Sequence, residues 1–333
     1  MSTIGLGNAL VDLLFQVQDD EALATVSINK GAMHMISEEQ TGMIHKQFAH
    51  LKMSKVPGGS VCNSMRAYGM LGGRAGFYGK VGSDELGCYY EHALLSAGVR
   101  PYFSRAEGLS GCCTVLITPD GEKSMGTFLG PAPTLAPDDV REDILDLYDY
   151  IYVEGYMIVN EPLVRSTMEK AKRLGLKVAL DLSNYNIVNS FREPFGKLIR
   201  EYVDILFANE YELMSFVGFP VAEALGHVSK IVDLAVVTLG KKGAIIAKGA
   251  ERIHIDAFGP PTPLDTTGAG DHFSAGFLYG ISHGASIRQS GRVASLLAGH
   301  VINHIGPQIP DKEWKLVREQ VAEILPSDSH LSK

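Results

Sequence analysis

The sequence has few cysteines, a single tryptophan and no excess of basic residues. Its 333 residues include 4 cysteines, and 30 Lys and Arg stand against 38 Asp and Glu, for a formal net charge of −8 at pH 7. The cysteines, at positions 62, 88, 112 and 113, lack the spacing of zinc ligands, so we interpret them as free thiols in a reducing compartment. The negative charge disfavours a nucleic-acid partner, although it does not disfavour a nucleotide bound in a local pocket.

Long apolar runs are also missing. No stretch approaches the length of a membrane span, and the first residues, M-S-T-I-G-L-G-N-A-L-V-D, contain an acid and no basic cluster, unlike a signal peptide. With 45% hydrophobic and 20% charged residues, the composition is that of an ordinary globular protein. We therefore expect a cytoplasmic protein without a membrane partner, with a length suited to one large α/β domain or two small ones.

From residue 149 onward, apolar strand patterns alternate with amphipathic helix patterns. The predicted strands are 150–153, 177–182, 205–208 and 235–238, and the predicted helices between them include 161–174 and 193–202. Such alternation is typical of a doubly wound, mostly parallel α/β sheet with helices on both faces. Residues 101–130 differ, because a turn at 118–121 joins two strand patterns into a hairpin. We predict that this segment and residues 13–37 form a small β-sheet lid.

The most informative stretch is residues 265–276, which read D-T-T-G-A-G-D-H-F-S-A-G. Asp271 stands where an apolar helical pattern begins, behind the small residues Gly268, Ala269 and Gly270. Backbone amides at a helix N-terminus form an anion site. A carboxylate beside an anion site suits a base that deprotonates a hydroxyl next to a transferring phosphoryl group. The alternative is that Asp271 only caps the helix and that the glycines only form a tight turn.

This stretch matches the signature D-T-x-G-A-G-D-x-F-x-x-G at every fixed position. The chain thereby resembles the ribokinase/PfkB carbohydrate kinase family. The resemblance implies that Asp271 is the catalytic base and that the amides of Gly268, Ala269 and Gly270 form the anion hole. It also implies a single ribokinase-like kinase domain over residues 1–333, which uses ATP to phosphorylate a primary hydroxymethyl group.

Two further matches concern the acceptor. G-N-A-L-V-D at 7–12 resembles the G-N-P-L-L-D of adenosine kinases, and P-G-G-S-V-C-N at 57–63 contains the family's G-G-x-x-x-N. The residues that the resemblance assigns to acceptor binding are Asn8, Asp12, Gly58, Gly59 and Asn63. Leu10 stands where free-sugar kinases usually carry an asparagine, which favours a nucleoside such as adenosine. A free sugar of the ribose or fructose type, and a catalytically silent nucleotide- or sugar-binding regulator, remain alternatives.

Nucleotide and metal binding rest on two other motifs. T-L-G-K-K-G at 238–243 matches the family's T-x-G-x-x-G, which implies that Thr238, Gly240 and Gly243 meet the ATP phosphates. The resemblance also places Asn303 near the adenine end of the nucleotide pocket. Asn209 and Glu212 form the family's N-x-x-E at the end of a predicted strand, where oxygen ligands suit Mg²⁺. A helix start with an acidic first turn is the alternative for this pair.

The resemblance leaves three points open. Lys123 lies in the lid hairpin where adenosine kinase relatives often carry an arginine that touches the phosphoryl group, and a solvated lysine is an equal alternative. The loops that contain Asp265, Thr267 and residues 303–306 resemble places where relatives hold a monovalent cation such as K⁺. Some relatives dimerise through the lid, so we expect a monomer or a lid-mediated homodimer.

Two further sequence patterns resemble binding motifs, but we do not interpret them as functional sites. G-L-G-N-A-L at 5–10 is a near miss for the dinucleotide-binding fingerprint, because Leu10 replaces its third glycine. His300 and His304 have a spacing that could ligate zinc, but no H-E-x-x-H motif and no third ligand accompany them. We interpret this pair as helix packing.

Overall fold

A computed structural model describes residues 1–325, which form two β-sheets and the helices around them. The strands are β1 (Ser2–Leu6), β2 (Leu10–Gln16), β3 (Met33–Met35), β4 (Met53–Gly58), β5 (Arg74–Gly82), β6 (Val99–Ala106), β7 (Gly111–Ile117), β8 (Lys123–Phe128), β9 (Tyr150–Val153), β10 (Lys177–Asp181), β11 (Ile205–Asn209), β12 (Leu234–Thr238), β13 (Ala244–Lys248) and β14 (Glu251–Ile255). The helices are α1 (Glu21–Ala24), α2 (Glu38–Gln47), α3 (Ser60–Met70), α4 (Glu85–Ser96), α5 (Glu142–Leu145), α6 (Glu161–Arg173), α7 (Tyr185–Ser190), α8 (Arg192–Tyr202), α9 (Glu210–Val217), α10 (Val221–Val228), α11 (Ala269–Ser282), α12 (Ile287–Val301) and α13 (Trp314–Ile324). Within residues 1–325, no helix is both long and apolar enough to cross a membrane.

The larger sheet has nine strands in the order β14-β13-β12-β11-β10-β9-β1-β5-β6. All neighbours from β12 to β6 are parallel, and β13 and β14 add an antiparallel hairpin at one edge. Alternate residues of its strands belong to two separate cores: Phe207 and Val236 pack with α3, α11 and α12, whereas Leu206 and Val237 pack with α6, α8 and α10. Helices therefore cover both faces, and the predicted doubly wound, mostly parallel fold is confirmed.

The smaller sheet, which we call the lid, has five strands in the order β3-β8-β7-β2-β4. The predicted hairpin forms from β7 and β8, and β2 and β3 join it. Two expectations need correction. β6 lies in the large sheet, where it pairs with β5 from Ala75–Val99 to Gly82–Ala106, so residues 101–106 are not part of the lid. β4, for which we predicted no strand, pairs with β2 along the other edge.

The two faces of lid strand β2 differ in burial. Val11, Leu13 and Phe15 are buried, and Phe15 packs on Phe48 just after α2 with ring centroids 6.2 Å apart. The alternate residues Leu10, Asp12 and Leu14 are only half-buried and lie on the opposite face. From the same face of β8, Lys123 reaches Asp265 in the loop before α11. This face of the lid therefore lies over a crevice at the carboxyl ends of the large sheet, where open α/β sheets bind ligands.

Candidate active site

The N-terminus of α11 presents free backbone amides to this crevice. Gly268 caps the helix with a φ of 79°, and a Cβ there would lie 2.9 Å from Pro307 Cα, so both conformation and space require glycine. The amide of Ala269 donates to Thr266 O at 3.2 Å. Within residues 1–325, the amides of Gly270 and Asp271 have no backbone acceptor. Two unpaired N–H groups at the positive end of a 14-residue helix can bind an anion.

Asp271 lies in the first turn of α11, and neighbouring side chains hold its carboxylate in one orientation. Oδ1 accepts a hydrogen bond from Ser60 Oγ at 2.6 Å, and Oδ2 accepts one from Asn63 Nδ2 at 2.8 Å. Burial raises the pKa of Asp271 to about 7, although both hydrogen bonds act to lower it and the carboxylate of Asp181 raises it further. A carboxyl group with a pKa near neutrality can accept a proton from a substrate hydroxyl.

A polar pocket of about 220 Å³ opens beside Asp271, and we call it the acid pocket. Besides Asp271, its lining includes Asp181, Asn209, Glu212 and Thr238. Our sequence reasoning missed Asp181, which ends β10 and accepts a hydrogen bond from Tyr152 Oη at 2.9 Å. The signal was available, because parallel strands end at one edge of a sheet and β10 pairs with β11.

Asn209 and Glu212 form a capping box at the start of α9. Asn209 Oδ1 accepts a hydrogen bond from the Glu212 amide at 2.9 Å, and Glu212 Oε2 accepts one from the Asn209 amide at 2.8 Å. Asn209 Nδ2 also donates to Glu212 Oε1 at 2.7 Å. The helix-start alternative is therefore present, while both residues still line the acid pocket. Burial raises the pKa of Glu212 to about 8, and the carboxylate of Asp181 adds to the effect.

The side chains of the acid pocket could hold Mg²⁺ only together with waters and phosphate oxygens. Within residues 1–325, no three His, Cys, Asp or Glu side chains are grouped closely enough to hold a metal ion by themselves. Mg²⁺ in phosphate-transferring sites is commonly held by one or two carboxylates, waters and phosphate oxygens. Glu212 and Asp181 in a polar pocket match that requirement, because a cation would offset the mutual repulsion of their carboxylates.

A groove of about 470 Å³ continues from the acid pocket along the other side of the α11 N-terminus. The two cavities share Thr238 and Gly270, and Gly240 and Gly243 also line the groove. Apolar side chains such as Phe273 and Ile302, with the prolines at 260, 261 and 263, form most of its other walls. A phosphate chain at Thr238 and Gly270 would thus leave an apolar compartment for a flat aromatic base.

Two predicted site residues, Asn303 and Asn8, hydrogen-bond to other groups of the protein. Asn303 is exposed at the end of α12, where its Nδ2 donates to the carbonyl oxygen of Gly299, a residue of the groove wall, at 2.9 Å. Asn8 is buried, and its Nδ2 donates to Glu154 Oε1 at 3.0 Å. Burial raises the pKa of Glu154 to about 7, and the amide of Asn8 lowers it. Both asparagine side chains thus form hydrogen bonds within the protein, and their contacts with adenine and with the acceptor stay predictions.

Asp12 and the two glycines at 58 and 59 come together at the lid side of the crevice. A Cβ on Gly58 would stand 2.5 Å from Asp12 Oδ1, so only glycine lets the carboxylate lie against this backbone. Gly59 has a φ of 92°, and a Cβ there would lie 2.5 Å from the carbonyl oxygen of Asn8. Burial raises the pKa of Asp12 to about 7, while Lys123 lowers it and Asp271 raises it, so all three groups share one electrostatic environment.

Lys123 joins the lid to the loop before α11. Its Nζ donates to Asp265 Oδ2 and, at 3.0 Å, to Thr267 Oγ1. Burial opposes the ionisation of Asp265, but hydrogen bonds from Lys123, Thr267 and Gly306 hold its pKa well below the usual range. Lys123 is thus not a solvated hairpin lysine, and its ammonium group already lies on the loop where the resemblance placed a monovalent cation.

The histidine pair at 300 and 304 does not converge on one point. His300 Nε2 is 2.7 Å from Gln320 Oε1, and its ring stacks on Phe258 at 5.8 Å between centroids. His304 Nε2 is 3.0 Å from Glu313 Oε2. Each ring is hydrogen-bonded to a different residue of the C-terminal segment, which agrees with a packing role.

A buried carboxyl group with a pKa near neutrality, free helix amides beside it and a groove of nucleotide size together suit phosphoryl transfer to a hydroxyl group. The fold and this site define a phosphotransferase. The family profile described as "pfkB family carbohydrate kinase" matches residues 37–314, and the chain belongs to that family.

Individual relatives agree with this assignment. An adenosine kinase from Schizophyllum commune is 26% identical over 342 residues, which cover 94% of this chain and 97% of that protein. The crystal structure of adenosine kinase from Sinorhizobium meliloti is 32% identical with a TM-score of 0.86, and the match covers 96% of this chain and 99% of that chain. The crystal structure of a probable sugar kinase protein from Rhizobium etli CFN 42 also has 32% identity and a TM-score of 0.86, over 97% and 98%. The chain is an ATP-dependent kinase of a nucleoside or sugar hydroxyl.

Proposed function

We propose that this kinase phosphorylates the primary hydroxymethyl group of a nucleoside, adenosine or a close analogue. The observation that carries the proposal is the crevice-facing side of β2, where the Asp12 carboxylate lies between the half-buried side chains of Leu10 and Leu14. One carboxylate between apolar groups suits a ligand with a hydroxyl-bearing sugar and an apolar base. The names of the Schizophyllum commune and Sinorhizobium meliloti relatives support the same substrate class.

In the proposed reaction, Asp12 with the backbone of Gly58 and Gly59 binds the sugar hydroxyls. Asp271 takes the proton from the hydroxymethyl oxygen as that oxygen attacks the γ-phosphorus of ATP, while the bond from that phosphorus to the β,γ-bridging oxygen breaks and ADP leaves. The free amides of Gly270 and Asp271 stabilise the charge on the transferring phosphoryl group, and Thr238, Gly240 and Gly243 hold the other phosphates. Bound Mg²⁺, held by Glu212, Asp181 and waters, would neutralise charge on the phosphates.

The acceptor is tested by a coupled assay with adenosine, other nucleosides, ribose and fructose, each at saturating ATP and Mg²⁺. We expect adenosine to have the highest kcat/KM. Turnover of ribose or a hexose without turnover of any nucleoside would identify a free-sugar kinase and overturn the nucleoside assignment. Binding of nucleosides in thermal-shift measurements without any turnover would instead identify a silent binding protein.

The metal assignment predicts a change in Mg²⁺ dependence. Glu212→Gln removes a carboxylate from the acid pocket, so we expect a higher Mg²⁺ concentration at half-maximal rate and a nearly unchanged KM for the acceptor. Glu210→Gln, on the same helix with the same charge change but outside the pocket lining, is the matched control. His300→Ala should also have no effect. An unchanged Mg²⁺ dependence in Glu212→Gln, or a requirement that disappears in His300→Ala, would contradict the assignment.

Three further parts of the proposal concern the protein in the cell and in solution. A kinase with this groove needs ATP, and on that ground we place it in the cytoplasm.

The proposal gives the positive charge beside Asp265 to Lys123, and comparison of rates in K⁺ and in tetramethylammonium salts tests whether a monovalent cation is needed as well. Sedimentation velocity distinguishes a monomer from a dimer through the lid, whose edges are β3 and β4.

A further inference from the structure

A chain of side-chain amides connects Asp271 to the loop after α12. Gln308, in that loop, donates from Nε2 to Asn63 Oδ1 at 2.7 Å. Asn63, on α3, donates from Nδ2 to Asp271 Oδ2 at 2.8 Å. At the far end, Arg66 Nη1 donates to Gln308 Oε1. Our sequence reasoning assigned no role to Gln308 or Arg66, and it assigned Asn63 only to the acceptor.

Only one direction of hydrogen bonding satisfies all of these contacts. A guanidinium group has donors and no acceptor, so the amide oxygen of Gln308 must face Arg66. Its amide nitrogen must then face Asn63, whose oxygen accepts, and the nitrogen of Asn63 is left to face the Asp271 carboxylate. An ionised carboxylate is an acceptor only, so the reverse orientation of Asn63 would place an oxygen against an oxygen.

We propose that Gln308, oriented by Arg66, is a positioning residue that fixes the amide of Asn63 so that Asn63 always donates to Asp271. The proposal rests on the function proposed above, because it gives Asp271 its orientation for proton transfer. Asn63 is buried and Gln308 is half-buried, so water would not readily replace either contact.

The loop that carries Gln308 also contacts the residues around the N-terminus of α11. Two residues earlier, the Gly306 amide donates to Asp265 Oδ2 at 2.7 Å. Pro307 packs against Gly268, the N-cap of α11, whose first turn carries the free amides. One short loop therefore supports the proposed anion hole through Pro307 and the proposed base through Gln308.

Two substitutions of Gln308 separate orientation from packing. Gln308→Glu keeps the shape and the contact with Arg66 but replaces the donor to Asn63 by an acceptor, so Asn63 must rotate and present its oxygen to Asp271. Gln308→Met keeps the length and leaves the orientation of Asn63 to Asp271 alone. We expect Gln308→Glu to lower kcat by on the order of 10- to 100-fold and Gln308→Met by less than about 5-fold, with KM for ATP unchanged in both. A residue that acts only by packing would give the opposite order.

A second measurement needs no turnover and so separates this proposal from the proposed function. Gln308→Glu should lower Tm by a few degrees in the parent chain and by much less in Asp271→Asn, because the side-chain amide introduced at position 271 can donate to a rotated Asn63. Through-space repulsion between the two acids could imitate this coupling. We therefore repeat the cycle in Asn63→Ala, or in Asn63→Ser if the alanine chain does not fold, where the coupling should vanish.

The Tm measurements test the role of Gln308, and the turnover measurements test the proposed function. Coupling in the parent background that is lost without Asn63 supports the proposal, whether or not the chain phosphorylates nucleosides. Equal Tm losses in the parent and Asp271→Asn backgrounds, or coupling that persists without Asn63, would overturn it. A parent enzyme with no nucleoside turnover would count against the proposed function alone.

Discussion

Replacing Asp271 with asparagine should lower kcat by on the order of 10²–10⁴, which is the usual contribution of a general base. The substitution is conservative in shape. The oxygen of the introduced amide can accept from Asn63, and its nitrogen can donate to Ser60 Oγ, so both side-chain contacts of Asp271 can be kept. The loss should therefore come from the missing proton acceptor rather than from a disturbed α11.

The raised pKa of Asp271 also predicts the direction in which the rate changes with pH. Asp271 acts as a base only when it is ionised, and burial raises its pKa to about 7. The kcat/KM of the parent enzyme should therefore fall as the pH decreases through about 7, well above the ordinary range of an aspartate. Burial also raises the pKa of Asp12 to about 7 and that of Glu212 to about 8, so an acid limb that persists in Asp271→Asn would belong to one of these two acids.

Ser60→Ala is the matched control for Asp271→Asn. It removes one of the two side-chain hydrogen bonds to the carboxylate and leaves the carboxylate in place, so we expect a loss of less than about 10-fold. Calorimetry with a non-hydrolysable ATP analogue should show nearly equal affinity in the parent, Asp271→Asn and Ser60→Ala chains. Near-parental turnover in Asp271→Asn would remove this residue from the mechanism.

The parts of the site that sequence reasoning located are those fixed by local structure. A glycine with positive φ followed by an apolar helical pattern places Asp271 in the first turn of α11. Strand patterns followed by polar residues place Asn209 and Thr238 at the same edge of a parallel sheet, and both line the acid pocket. In each case the position of the residue along its own element decides where it lies.

The contacts that sequence reasoning missed join residues far apart in the chain. Asn8 directly follows β1 and Gly7, but its side chain donates to Glu154, 146 positions away. Gln308 reaches Asn63 across 245 positions of the chain, and no local pattern predicts that contact. The edge strand β6 has mostly half-buried residues, so its apolar pattern could not distinguish a strand of the large sheet from a strand of the lid.

Replacement of Asp12 should strongly reduce the use of the acceptor. The carboxylate of Asp12 lies against the Gly58 backbone on the crevice side of the lid, and a nucleoside bound there would form hydrogen bonds with this charged group. Such hydrogen bonds contribute roughly 1.5–3 kcal/mol each. We therefore expect Asp12→Ala to lower kcat/KM for adenosine by on the order of 10² or more, while KM for ATP stays nearly unchanged because Asp12 does not line the nucleotide groove.

Asp120→Asn provides the matched control for this prediction. Asp120 lies in the turn between β7 and β8 and pairs with Lys30 on the exposed part of the lid, so its replacement changes the charge equally without touching the crevice. Initial-rate measurements with adenosine and ATP varied separately should leave both KM values of Asp120→Asn near those of the parent. If Asp12→Ala raised KM for ATP as much as KM for adenosine, or if Asp120→Asn matched its effect, then the lid acids would act through overall charge or lid stability, and the acceptor site would have to be sought elsewhere in the crevice.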